Sequence, residues 1–425
     1  MYAVILDNKF VAVTRSGHVI QLTELSEVTI VGLNNQRVRQ YNKKALMTLI
    51  WQEKVVSKSQ LARQTDLSIP AVSNILDELV EEGHLAHSQQ ALSKRGLSSG
   101  SYQIPLTGPL TLCLNVTPTT IESQLADQQL SPLGEYAKTH VDAPHPQALL
   151  AAMLRICHQY AKTYSGNTFR LAVAIHGQVD PVTGVSQTMP QAPWKAPVEI
   201  KYLLEEKLKW PVLVDNDCVM LALAEKWQNP NRQQDFCVIN VDYGIGSSFV
   251  INRQIYRGSL YGSGQIGHTI VDPDGMACTC GRYGCLETVA SLTALKKQAR
   301  IWFKSQPGMG DQDIDKLTTA HLLTLWRQHD PMVEQWVENG ATTIGLSLYN
   351  FLNILNINQI WFYGRCCEFG ERWLAAITRQ ISTNPFDPAD PTRVNATRVA
   401  FGELSRAQQI MGIGYLYVEK ALENF

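Results

Sequence analysis

The feature that most restricts how this chain can fold is a run of metal-ligating residues. His268 is followed after nine residues by Cys278-Thr279-Cys280 and then, after four more, by Cys285. Three thiolates and an imidazole complete a tetrahedral zinc shell with no open position for water, which points to a structural ion. The expectation is one structural Zn2+ per chain, held by His268, Cys278, Cys280 and Cys285, with Gly281 and Gly284 between the ligands. Unpaired reduced cysteines are the alternative reading. Nine cysteines is an odd count, and the other six are isolated apart from Cys366-Cys367. That pattern suits core thiols in a reducing, cytoplasmic setting better than a disulfide framework.

A chain of 425 residues is too long for one core, so two or more domains are expected. With 45% hydrophobic and 18% charged residues the composition is that of a globular protein. No apolar run approaches the roughly 18–20 residues needed to cross a bilayer. The start, Met1-Tyr2-Ala3-Val4-Ile5-Leu6-Asp7, lacks the basic region and cleavage site of a signal peptide. A cytoplasmic protein without membrane insertion is expected.

Three stretches differ in pattern. Residues 1–33 read as a β-rich extension of short strands with turns at Asp7-Asn8 and Ser16-Gly17. Residues 34–108 are helical to about Leu85 and then polar and Ser/Gly-rich, as a wing and linker would be. Residues 109–425 alternate short apolar strands (Leu110–Val116, Leu171–Ile175, Val212–Val214, Cys237–Val241, Ser248–Ile251, Gln359–Tyr363) with helical segments, an α/β pattern.

Within residues 34–108 three helices are legible: about Arg37–Gln52, Lys58–Thr65 after the N-cap Ser57, and Pro70–Glu82 after the N-cap Ser68. In the third, Val72, Ile75, Leu76, Leu79 and Val80 recur at helical spacing, and Gly83 ends it. Two short helices joined across Asp66-Leu67 have the form of a helix-turn-helix. Ser68, Ala71, Ser73 and Asn74 at the start of the third helix are candidates to read bases in a major groove. Residues 34–65 hold seven basic side chains, Arg37, Arg39 and Lys58 among them, against one acid, Glu53. Such a stripe suits phosphate anchoring. A solvated three-helix packing module is the bland alternative. The third helix itself has no Lys or Arg and ends in Asp77, Glu78, Glu81 and Glu82, so affinity is expected from the neighbouring helices and from Lys94 and Arg95 in the wing.

The stretch Gly262-Ser263-Gly264-Gln265-Ile266-Gly267-His268, followed by Cys278-Thr279-Cys280-Gly281-Arg282-Tyr283-Gly284-Cys285-Leu286-Glu287, closely resembles the signature of the ROK family (repressors, open reading frames, kinases). Ala174–Asp180, Val214-Asp215-Asn216-Asp217, Asp242-Tyr243-Gly244-Ile245-Gly246 and Asn353–Gly364 match in order. With the helix-turn-helix ahead of them the resemblance covers about residues 34–425, and it is to the branch of glucose- and N-acetylglucosamine-responsive repressors. It implies an actin-like (ribonuclease H-like), two-lobed sugar-kinase-type domain that binds a sugar or sugar phosphate between its lobes. The kinase base position falls on Asp217, retained as a sugar ligand beside Asn216, Gln265, His268 and Glu287. It further implies a double-stranded DNA operator as partner and a homodimer or tetramer. A repressor of carbohydrate uptake or metabolism genes is therefore expected, and not an enzyme.

Three departures from the family pattern bear on this. Where a kinase of this fold needs a first phosphate loop resembling Asp-x-Gly-Gly-Thr, the chain reads Asn115-Val116-Thr117-Pro118-Thr119, and the glycine pair expected near the adenosine has become Gly364-Arg365. Second, Gln265 stands where members that bind a free hexose usually carry Glu, so a modified or phosphorylated sugar is expected, or a cleft partly handed to a protein partner. The wing sequence Ser93–Gly100 also lacks the family's Gly-Arg-Gly-Arg-Pro-like form. The competing readings are a regulator gated by docking of a sugar-transport protein and an active sugar kinase.

Overall fold

The computed structural model describes residues 35–88, 100–229, 235–306, 317–381 and 397–425, together with four strands before residue 33. Those strands, Tyr2–Leu6, Lys9–Val13, His18–Thr23 and Glu27–Gly32, form an antiparallel meander.

Three helices follow: α1 (Asn35–Glu53), α2 (Lys58–Thr65) and α3 (Ile69–Glu81). The expected caps are present, with Ser57 accepting from the Gln60 N–H and Ser68 from the Ala71 N–H. Gly83, at φ +77°, takes the left-handed backbone that ends α3. Leu46, Ile50, Leu61, Val72, Leu76 and Leu79 are fully buried together, each contributing about 1.5–3 kcal/mol by burial. A three-stranded sheet (Val55–Ser57, Ser101–Gln103, Ala86–Ser88) closes this head.

The rest of the chain builds two lobes of the same design. The first sheet runs Pro132–His140, Thr120–Ala126, Leu110–Val116, Phe169–Ile175, Val212–Asn216 in space. The second runs Gln254–Tyr256, Ile245–Ile251, Phe236–Val241, Gln359–Tyr363, Arg398–Phe401. In each, antiparallel strands precede parallel ones. The strand Leu110–Val116 is buried throughout because helices cover both faces. Leu112, Leu114 and Val116 pack into one core, and Cys113 points to the other.

That second face is covered by the C-terminal segment Arg406–Glu423, whose Gly414 lies where a Cβ would stand 2.9 Å from the Cys113 sulfur. Arg406 reaches back to Glu122, its Nε donating at 3.0 Å, while Tyr136 donates to the same carboxylate at 2.6 Å. Burial alone would raise the Glu122 carboxyl, but Arg406, Tyr136 and Asn115 outweigh it and hold it at about 2. The head meets this body where the Lys54 ammonium donates to the Gln129 carbonyl at 2.6 Å and the His84 and Phe425 rings stand 5.0 Å apart.

Candidate functional site

The four expected metal ligands come together. The ligand atoms of His268, Cys278, Cys280 and Cys285 all lie within 4.8 Å of one another. His268 Nδ1 stands 3.5 Å from Cys278 Sγ, and Cys280 Sγ stands 3.6 Å from Cys285 Sγ. Zinc–sulfur bonds of about 2.3 Å put tetrahedral ligands roughly 3.8 Å apart, so these separations suit such an ion with little adjustment. Local backbone sets the arrangement: Ile270 bridges Cys285 and Ala277 bridges Tyr283. Gly284, at φ +64°, passes so close to the Asp272 carbonyl that a Cβ would overlap it. The Glu287 carboxylate accepts from the Cys278 thiol at 3.0 Å and lies 3.6 Å from His268 Nδ1. His268 and Glu287 are thus drawn to the metal cluster.

Asn216 and Asp217 sit where the strand Val212–Asn216 passes into the helix Asp217–Gln228. Asn216 is that helix's N-cap, accepting from the Cys218 N–H at 2.7 Å, and its amide donates to the Gly177 carbonyl. Asp217 Oδ2 lies 2.9 Å from His176 Nδ1. Burial pulls the His176 pKa down, but the charges of Asp217, Asp242 and Glu287 prevail and raise it above 6.5. These acids therefore share one electrostatic neighbourhood with His176, a residue that sequence reasoning left without a role.

Beside them a small polar cavity opens between the lobes, lined by Gln178, Asp215, Asn216, Arg257, Ser263 and Gln265 among others. Its free space is about 20 Å³, room for about one water molecule. Gln265 is held there by Gly264, at φ +91°, whose carbonyl accepts from the Ser247 N–H at 2.9 Å; a Cβ at Gly264 would stand 2.0 Å from the Ser247 carbonyl oxygen. Arg257 Nη2 pairs with Asp215 Oδ2 at 2.7 Å across the cleft. Sequence reasoning missed both partners. Asp215 lies inside the matched Val214–Asp217 segment, and that placement was the available signal.

At the end of the strand Leu110–Val116, the turn Val116–Thr120 closes on itself: Thr117 Oγ1 accepts from the Thr119 and Thr120 N–H groups at 3.4 and 3.0 Å. The Asn115 amide points inward to Glu122, 2.9 Å away. Arg365 donates to the Tyr243 hydroxyl at 2.8 Å, and the Lys296 ammonium lies 4.8 Å from the same ring's centre.

In the head, Ser68 and Asn74 are exposed at the start of α3, whereas Ala71 and Ser73 are half-buried. Of the four candidates to read bases, Ser73 is therefore less available: it accepts from Lys58 Nζ at 2.6 Å and donates to Asp77 at 3.2 Å. Arg37 is exposed, and Arg39 pairs with Glu78. The acidic end of α3 is therefore partly neutralised from within the head, since Lys43 also pairs with Glu78 and Glu82. Lys94 and Arg95 lie outside the described residues.

The sequence profile of the ROK family matches residues 111–418. Over 392 residues the chain is 62% identical to the uncharacterized protein YphH of Escherichia coli (strain K12), covering 92% of this chain and 99% of that protein. It is 27% identical over 361 residues to NagC, a DNA-binding transcriptional dual regulator of the same organism, covering 82% of this chain and 86% of NagC. Among solved structures, a ROK family transcriptional regulator homologous to the E. coli MLC protein superposes with a TM-score of 0.72 at 21% identity, covering 91% of this chain and 96% of that one. A ROK family glucokinase from Streptomyces griseus, in complex with glucose and AMPPNP, gives 0.60 at 24%, covering 72% and 98%. These likenesses establish the actin-like, sugar-kinase-type fold of the two lobes.

Proposed function

The chain belongs to the ROK family, and from that premise we propose that it is a DNA-binding transcriptional regulator, a repressor of genes for carbohydrate uptake or metabolism. Its curated relatives at 23–27% identity include xylose repressors and the N-acetylglucosamine repressor, and a DNA-reading head ahead of sugar-kinase lobes fits the same division of labour. The observation that carries the reading is the join: a capped helix with Ser68 and Asn74 exposed stands on a body whose first phosphate turn is closed on itself.

In this reading residues 1–33 are an extension, 34–108 a winged helix-turn-helix, and 109–425 the effector and oligomerisation domain. Among the described residues no helix is long and apolar enough to cross a membrane, and the regulator works in the cytoplasm, where its operator is. One helix-turn-helix makes too few base contacts for a specific site, so the working form is a homodimer or tetramer on a two-fold operator.

His268, Cys278, Cys280 and Cys285 would hold one zinc ion, which when bound would fix the ring of His268 and cross-link its loop to the cysteine segment. Asn216 and Gln265 meet the sugar in the interlobe cavity, and Asp217, oriented by His176, accepts from a sugar hydroxyl without a phosphoryl donor opposite it.

The test is operator release. Purified chain bound to DNA selected from a random pool is titrated with a panel of sugars and sugar phosphates. Release by at least one of them supports the reading; indifference to all of them contradicts it.

A further inference from the structure

Resting on the reading of the head as a DNA-binding unit, we infer that α3 recognises A·T base pairs in the major groove, with Ile69 packed on the methyl group of a thymine and Asn74 paired with an adenine.

Each base pair shows the major groove its own set of donors, acceptors and methyl groups, so the side chains that α3 displays decide which sets it can read. Guanine is read chiefly by Arg or Lys at O6 and N7, and α3 contains neither. The amine of cytosine calls for a carboxylate. The acid nearest the start of α3, Asp77, is turned to Lys58 Nζ at 3.6 Å and to the Ser73 hydroxyl at 3.2 Å. Glu78 is paired with Arg39 and Lys43, and Glu81 stands at the far end of the helix, away from the first turns that reach base edges. Ser73 is itself engaged by Lys58 at 2.6 Å. Ser68 accepts from the Ala71 N–H, and a hydroxyl, which donates or accepts alike, discriminates little between bases.

What remains on display is apolar apart from one amide. Ile69 is 55% exposed, Pro70 is exposed and Ala71 half-buried, and Ile69 lines an open groove together with Ala62 and Leu67. Three successive apolar residues thus open a helix whose later turns carry the acids. Such a step is stabilised by leaving water, and the apolar group that the major groove offers it is the thymine methyl. Pro70 and Asn74, four residues apart, share a face of the helix, with Ile69 beside them in the first turn. The exposed amide of Asn74 has a donor and an acceptor in one plane, the match for adenine N7 and N6. A thymine methyl and an adenine edge are the two marks of an A·T pair.

Methyl deletion in the DNA tests this. The full chain selects duplexes from a random pool, and the base positions whose preference relaxes in Asn74→Ala mark where α3 lies. Those positions should be A·T. Each thymine of the selected duplex is then replaced singly by deoxyuridine, which removes the methyl and keeps every hydrogen bond. At a thymine in each half-site the wild type should bind about fourfold more weakly, the equivalent of one buried CH2 group. Ile69→Ala should bind the thymine and deoxyuridine duplexes equally, and Ile69→Val should keep part of the difference. The deoxyuridine scan is read on the wild type, so a poorly folding variant does not protect the idea. Positions under α3 that are G·C, thymines that all tolerate deoxyuridine, or an Ile69→Ala that keeps the full methyl dependence overturn the inference while leaving DNA reading in place. A pool that yields no motif overturns both.

Discussion

The side-chain amide of Asn115 donates to the Glu122 carboxylate at 2.9 Å, turning inward the residue at the strand end where a kinase of this fold would present a carboxylate to its metal and phosphates. Glu122 in turn is gripped by Arg406, which comes from the far end of the chain. One carboxylate therefore links the strand end before the turn Val116–Thr120 to the C-terminal segment that covers the first lobe.

Stability should depend on this link in a defined pH window. The Glu122 carboxyl is held at about 2 against an ordinary 4.5, so its contribution is fully present above 4.5 and fades as pH falls through the folded value. Glu122→Gln should cost about 3 kcal/mol at neutral pH, the scale for breaking a buried pair. In denaturant melts the gap between the two proteins should narrow steadily below pH 4.5. A gap that is constant down to pH 2.5 would refute the assignment.

Restoring the kinase-like acid should fail. Asn115→Asp sets two carboxylates in buried contact, which disfavours ionisation of one of them and strains the Arg406 clamp. The expected outcome is a lowered melting temperature and no ATP consumption with any hexose, in wild type or variant, by a coupled-enzyme assay. Sugar-dependent ATP turnover that disappears in Asp217→Asn would reverse the proposal that this is not an enzyme.

Freshly purified chain should contain one zinc per molecule by elemental analysis. Cys280→Ser removes the exposed ligand and should abolish stoichiometric metal, lower the melting temperature and weaken sugar binding through the loss of the His268 anchor. The isolated affinity of the head for DNA should change less than the response to sugar. Metal-free wild type with full stability would sink the structural-zinc assignment.

In the head, Asn74→Ala should cost about 1–3 kcal/mol on the preferred operator and relax one base position. Arg39→Ala should weaken all DNA alike and lower the salt slope by about one. In its pair with Glu78, Arg39 is exposed and Glu78 only half-buried, so the same change should move stability by less than about 1 kcal/mol. Anisotropy at several salt concentrations separates the two classes. Equal loss on specific and random DNA for Asn74→Ala would remove it from base reading.

Much of the fold and of the His/Cys cluster is legible in the sequence, and the reasons are local. Ser57 and Ser68 declare their helices because capping is written in the neighbouring residues, and the His/Cys cluster follows from ligand type and spacing. The central strands of both lobes, Leu110–Val116, Phe169–Ile175, Phe236–Val241 and Gln359–Tyr363, read as apolar runs because they are covered on both faces, whereas the edge strand Pro132–His140 is largely exposed and carries no such signal. What escapes the sequence is long-range. Nothing near Arg257 signals Asp215, 42 residues earlier by number, and nothing near Asn115 signals Arg406. Likewise the partial burial of Ser73 depends on Lys58, which periodicity cannot foresee. Each of these pairs is made by the meeting of separate segments.

The central claim is that the chain reads DNA, and in vitro selection from a random duplex pool with purified zinc-loaded protein tests it most directly. The account predicts enrichment of a two-fold symmetric motif with half-sites separated by whole helical turns, about 10–10.5 base pairs or a multiple, and loss of enrichment at the Asn74 contact in the Asn74→Ala variant. A pool that shows no motif after selection at low salt would contradict it.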